Sequence, residues 1–254
     1  MKEIKMTRAV LGTALGCGAL ASGISQLQAQ DAETPKEDPT RWKTTAAVAA
    51  ALTRGNSETV SLSGSVDTLK KWSDNELGFG AGFVYGEDSD SVLASNATGY
   101  GQYNRLFSER LFGYGRVDVF HDDVASIAYR VTFSPGAGYY FIKNDKFTLN
   151  GEVGPGYVLE KFHNQDQDDY ITMRLAENFT WAISETSRLW QSAAYSPKID
   201  EWDNFFLEAE VGVATKITKS LDLRVVANYN HRSHPASGRK KDDFRLLAGV
   251  GYTF

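Results

Sequence analysis

The sequence predicts an all-β chain, an antiparallel transmembrane β-barrel of about twelve strands that its C-terminal strand closes. Three observations predict it. The last stretch sets Phe244, Leu246, Ala248, Val250, Tyr252 and Phe254 on one face and mostly small or polar residues on the other, the two-residue period of a strand. From Trp42 onward extended segments alternate with turn clusters, and no helical stripe persists. At about eleven to fifteen residues each, these segments exceed the five or six usual in soluble sheets and can cross a bilayer at a tilt. A final strand ending uncovered on Phe254 would leave a sticky edge, and closure removes the edge.

Composition supports one large β domain. Of 254 residues, 23% are charged, and the mean hydropathy of −0.36 does not describe a helical membrane protein. Aromatics at 12% and 23 glycines against 6 prolines suit strands joined by tight turns. The net charge of −5 argues against a nucleic-acid partner. Lys2, Lys5 and Arg8 precede a small-and-apolar run from Ala9 to Ile24 that ends near Ala29, the pattern of an export signal peptide over residues 1–29. Residues 30–41, with Pro35 and Pro39, follow as a disordered periplasmic lead-in, and 42–254 form the barrel. The single cysteine, Cys17, falls in the signal, so the mature chain has no disulfide.

The expected strands are 42–53, 59–72, 76–86, 93–107, 110–120, 127–142, 147–162, 169–183, 187–197, 204–217, 221–232 and 243–254. The third alternates Leu77, Phe79, Ala81, Phe83 and Tyr85 against glycines, and the tenth opposes Phe205, Leu207, Ala209, Val211 and Val213 to Glu208, Glu210 and Lys216. The acids must be wet, so the second face lines an aqueous interior. The fourth, fifth and ninth strands show no clear alternation. Glu177 falls on an apolar face with Leu175, Phe179 and Trp181, which predicts a β-bulge there. Tight turns at 73–75, 108–109, 143–146, 184–186 and 218–220 alternate with longer loops, a pattern that puts both termini in the periplasm. Aromatics flank the tight turns (Trp42, Trp72, Phe107, Phe141, Phe147, Trp181, Phe254), and a second set lies near the loops (Tyr85, Phe120, Tyr129, Tyr170, Phe205, Tyr229, Phe244). Two such belts mark the two membrane interfaces.

The ending, with aromatics at the last and third-last positions, resembles the closing strand of bacterial outer-membrane barrels, where it is the assembly signal; this implies that Tyr252 and Phe254 engage the barrel-assembly machinery. Four stretches carry a broader resemblance: Thr53–Glu58 (T-R-G-N-S-E), Leu111–Gly115 (L-F-G-Y-G), Gly151–Tyr157 (G-E-V-G-P-G-Y) and Gly249–Phe254 (G-V-G-Y-T-F). In this order they resemble a family of Gram-negative outer-membrane proteins described as a domain of unknown function, one member of which is called a salt-induced outer-membrane protein. The resemblance implies a barrel in the cell outer membrane and supplies no reaction.

The expected lumen residues are Arg130, Glu152, Glu160, Arg174, Glu208, Glu210, Lys216, Arg224 and Arg245. Their mixed signs fit a lattice of salt bridges better than a selective filter, which carries one sign at its narrowest point. The function read from this is non-enzymatic: envelope integrity, or a narrow channel for small polar solutes, with outer-membrane lipid and lipopolysaccharide as partners. Arg232, Arg239, Lys240 and Lys241 would meet the lipopolysaccharide phosphates. The alternative is an outer-leaflet lipid hydrolase resembling lipid A deacylases, in which His231 activates Ser233 and Asp242 or Asp243 orients the imidazole. Asp166, Asp168 and Asp169 offer oxygens but lack the glycine and distal glutamate of a calcium loop, and no metal or cofactor motif appears.

Overall fold

A computed structural model describes residues 41–53, 59–88, 91–163, 165–235 and 241–254. The expected signal peptide and nearly all of the lead-in lie outside them. Twelve strands follow one another: β1 (Lys43–Thr53), β2 (Thr59–Trp72), β3 (Asn75–Asp88), β4 (Ser91–Leu106), β5 (Leu111–Asp122), β6 (Ile127–Lys143), β7 (Phe147–Phe162), β8 (Gln167–Ala182), β9 (Ser187–Lys198), β10 (Glu201–Lys216), β11 (Leu221–Arg232) and β12 (Asp242–Thr253). Each pairs antiparallel with its neighbours, and β1 pairs with β12 to close the barrel. At the seam the Thr44 and Phe254 backbones exchange hydrogen bonds at 3.2 and 3.0 Å.

The expected asymmetry of connections does not survive. The link from β9 to β10 shrinks to residues 199–200, because Glu201 already pairs with Lys198. Likewise Gln167 and Asp168 belong to β8 rather than to a loop, paired with Lys161 and Glu160. Polar strand ends that project into water continue the backbone ladder at no desolvation cost, so strands run on into segments whose side chains look loop-like. Asp122, expected in a loop, is fully buried at the end of β5 and accepts a 2.6 Å hydrogen bond from the Ala125 N–H in the turn below it.

The strand period sorts the side chains. Val48, Phe79, Phe83, Val117, Phe133, Val153, Val211, Val225 and Leu246 stand on the outer face, while Asp67, Gln102, Arg116, Glu152, Glu210 and Asn228 are buried inside. The strands that do not alternate in sequence, β4, β5 and β9, carry polar and apolar residues on both faces. They place Tyr100, Phe112, Tyr114 and Trp190 inside, and glycines or polar residues such as Gly113, Gly115 and Gln191 fall outside. The inner belt keeps its aromatics, with Trp42 against Phe79 and Trp181 stacked on Phe147 at 6.0 Å. At the loop end Tyr85, Tyr129 and Tyr229 stand over greasy surface and bond their hydroxyls to Glu87, Gln167 and Asp242, as interfacial tyrosines do. Phe120 and Tyr170 leave that belt and turn inward, beside Arg130 and Glu160.

Close packing inside the wall depends on missing Cβ atoms. The Trp190 ring lies against Gly212, where a Cβ would come within 2.0 Å of it. Gly212→Val therefore lowers stability by about 1–3 kcal/mol, read as the urea midpoint of tryptophan fluorescence in lipid vesicles. Gly115→Val, on the outer face where an added Cβ meets nothing within 4 Å, leaves the midpoint unchanged.

Candidate functional site

The lumen is organised in three levels. Nearest the termini, Glu76 of β3 accepts from Asn104 at 3.1 Å and from the Tyr140 hydroxyl at 3.4 Å, with Lys71 at 3.7 Å. On the facing wall Asp222 lies between Arg188, at 3.3 Å, and Arg224, which meets both of its oxygens at 2.7 and 2.8 Å. These are charge-assisted pairs buried within the barrel, where each charge requires its partner.

At mid-height a continuous chain of side chains crosses the barrel. The Arg116 guanidinium clasps Asp118 and donates to Gln102 at 2.9 Å. Gln102 donates in turn to Glu152 at 3.0 Å, and Arg174 donates to the other Glu152 oxygen at 2.6 Å. The bond from Gln102 on β4 to Glu152 on β7 passes over two intervening strands, so it is a chord through the lumen rather than a contact along its wall. Tyr100 adds a hydroxyl bond to Asp67 at 3.2 Å and carries Arg116 over its ring at 4.7 Å. Glu210 accepts from Trp190 Nε1 at 2.7 Å and from Asn228 at 2.8 Å.

The loop end is bridged by Glu160. Its carboxylate is held by Arg130 from the adjacent β6 and, from the far wall, by Arg232 of β11 at 2.8 and 2.9 Å. The Phe206 ring lies beside both guanidinium groups, at 4.6 and 4.8 Å. Arg232 thus faces the lumen rather than lipopolysaccharide; Arg239 and Lys240 lie outside the described residues. Beside this column a small cavity of about 110 Å³ remains, lined by Ala47, Ser63, Asn96 and Thr98 on one side and by Glu210, Arg224 and Val226 on the other.

Of the expected lumen residues, Glu152, Glu160, Arg174, Glu210, Arg224 and Arg245 are buried within the barrel, while Glu208, Lys216 and Arg130 are partly exposed. Sequence reading missed Gln102, Arg116, Arg188 and Asp222, three of which belong to the strands without alternation.

The hydrolase constellation assembles only in part. His231 Nδ1 does meet Asp242 at 2.7 Å, and its ring stacks on Phe205 at 5.3 Å. Asp243 pairs with Asn230 in the ladder. Ser233, however, is committed to the Phe205 backbone: its Oγ accepts from the N–H at 2.7 Å and donates to the C=O at 3.2 Å, and its other contact is His234. The serine pins the irregular start of β10, where the register on β9 shifts between Glu201 and Phe205.

Two rim clusters complete the picture. Asp123 accepts from Ser95 at 2.9 Å and faces His121 at 3.2 Å and His163 at 3.7 Å. The Ser95 hydrogen bond, with His121 adding to it, holds the Asp123 carboxyl below the usual carboxylate range. By linkage this contact contributes above the carboxyl's unfolded pKa and is lost as pH falls through the folded one. Glu201, Asp203 and His234 bring ligand atoms within 4.8 Å of one another, all exposed to solvent.

The family model described as a protein of unknown function, DUF481, matches residues 46–254. The chain belongs to this family. No curated protein sequence matches this DUF481 chain. Among solved structures a NanC porin is similar, with a TM-score of 0.53 and 9% identity over 84% of this chain and 100% of the porin. An outer-membrane channel from Pseudomonas putida F1 (0.49, 11%, covering 87% and 100%) and the KdgM porin (0.48, 10%, covering 84% and 99%) also align. At such identity the NanC likeness shows the fold alone, and that fold is the outer-membrane porin barrel. Neither the family description nor these structures carry the salt-induced designation.

The mid-lumen chord makes a stability prediction for the DUF481 barrel. Arg174→Met strands the buried Glu152 carboxylate and costs about 3–5 kcal/mol, whereas adding Glu152→Leu to it recovers most of the loss. Urea midpoints of the single and double variants in lipid vesicles check this.

Proposed function

We propose that this chain resides in the outer membrane, termini in the periplasm, as a narrow channel for small polar solutes whose path is constricted by its own ion pairs. The observation that carries this reading is the coexistence of a cross-lumen charged column with a small unfilled cavity beside it. Both signs of charge occur at every level of the column, so the constriction selects on size and polarity before it selects on sign. The Arg130–Glu160–Arg232 bridge is the narrowest element at the outer end in this reading. Lipopolysaccharide surrounds the loop end, and Tyr252 and Phe254, exposed on the outer face, present themselves to the assembly machinery.

One observation favours the hydrolase alternative, the His231–Asp242 pair. The Ser233 hydroxyl speaks for a structural role instead, since both its bonds to Phe205 would have to break before it could attack a lipid ester. A non-enzymatic barrel is therefore the better-supported reading.

The barrel should shift its electrophoretic mobility on boiling in SDS, and in planar bilayers wild type should show small, discrete conductance steps. Arg232→Ala opens the bridge and raises the single-channel conductance at least twofold. An absence of steps from both proteins, with the heat shift intact, would move the function to envelope integrity. Ser233→Ala lowers stability by about 1 kcal/mol and leaves lipid A unmodified or modified as in wild type; a lipid A change lost with this substitution would restore the hydrolase.

A further inference from the structure

Glu177 is where the structure overturns the expected bulge. The register of β8 on β7 runs unbroken from Phe147↔Trp181 to Lys161↔Gln167, so the carboxylate stays on the outer face, with Leu175 and Phe179 on either side. It stands four residues along β8 from the belt residue Trp181. At about 3.3 Å per residue and a tilt near 40°, this is about 10 Å into the apolar band. A carboxyl group at that depth needs a polar partner, because acyl chains offer none.

Within the chain that need is half met. Gln191 of β9 donates Nε2–H to one Glu177 oxygen at 2.7 Å. Among the described residues the second carboxylate oxygen, the Gln191 carbonyl and its second N–H find no further hydrogen bond. The pair therefore presents an unspent acceptor and an unspent donor side by side. Around it the outer surface is low: Glu177, Ala193 and Ala209 lie next to one another across three strands, with Gly151 beyond them under the Phe141 ring. Aromatic rims, Tyr139 and Phe141 on one side and Tyr195 on the other, turn this into a shallow groove.

We propose that this face joins two copies of the chain side by side in the membrane, about a twofold axis that passes between Glu177 and Gln191. A twofold interface must be self-complementary, each copy giving what it receives. Here the second Gln191 N–H of one copy reaches Glu177 of the partner subunit while the reciprocal bond forms across the axis, so each carboxyl lies between two amides. The small residues let the two walls approach closely enough for these bonds, as small residues do at other membrane interfaces. Lipid would fill the groove without satisfying the carboxyl, and a cationic partner protein would leave the amide half-used. The proposal rests on the transmembrane fold and not on whether the lumen conducts.

The test uses the full chain in its membrane. Ala193→Cys, close to the proposed axis, should form a disulfide-linked dimer on mild oxidation in the membrane. Wild type in mild detergent should have twice the chain mass by light scattering. Glu177→Leu, and independently Gln191→Leu, should halve that mass while keeping the heat-dependent mobility shift, which shows that the barrel remains folded. A monomeric wild type with no crosslink and an intact heat shift overturns the proposal, and so does a crosslink to a protein of different mass. Absence of the heat shift in wild type overturns it together with the transmembrane reading beneath it.

Discussion

In hydrocarbon no water is available to a backbone N–H or C=O, and each one left unpaired costs several kcal/mol. The rest of this structure follows from the resulting demand that the sheet close on itself. The seam is its shortest ladder, with the register of β1 on β12 running only from Thr45↔Thr253 to Ala49↔Gly249. Gly249 belongs there because a Cβ would lie 2.2 Å from the Val48 carbonyl oxygen. Two prolines mark an interruption of pairing elsewhere. The β6–β7 register resumes at Ala137↔Val153 after Phe133↔Tyr157, and Pro135 and Pro155, which have no N–H to contribute, lie in the gap.

Closure fixes parity, and parity decides which side chains are forced together. Once every second residue points inward, a dozen strands deliver guanidinium and carboxylate groups into one confined space, where an unpaired charge is far more costly than a paired one. The pairs that result are not neighbours along the wall alone. Gln102–Glu152 and Glu160–Arg232 reach across the lumen, tying strands that share no ladder. They brace the tube and narrow its lumen with the same bonds. Widening the lumen means breaking a buried pair.

Much of this was legible in the chain. The strands lie within three residues of their expected bounds, because a face of Leu, Val and Phe against a face of Glu, Arg and Asn has a period no helix can reproduce. The site was legible only where the alternation was clean, as for Glu210 and Arg224. In β5 the lumen side holds Phe112 and Tyr114, so the polarity cue that marks an interior elsewhere points the wrong way and hides Arg116. Strand ends misled for a related reason: Arg232, Asp122 and Ser233 look like loop residues, yet each is turned inward by an acid, a turn or a backbone.

The sequence by itself determined the number of strands, the greasy outer surface, the aromatic belts and the presence of mixed charge inside, because all of these depend on neighbours one or two residues apart. Only the tertiary structure decided which charges meet, since Glu160 and Arg232 are 72 residues apart and nothing local links them. It also decided that Glu177 faces outward, because that depends on an unbroken register with β7. Local period reports which face a residue occupies relative to its neighbours. What stands opposite that face is set by closure of the whole sheet.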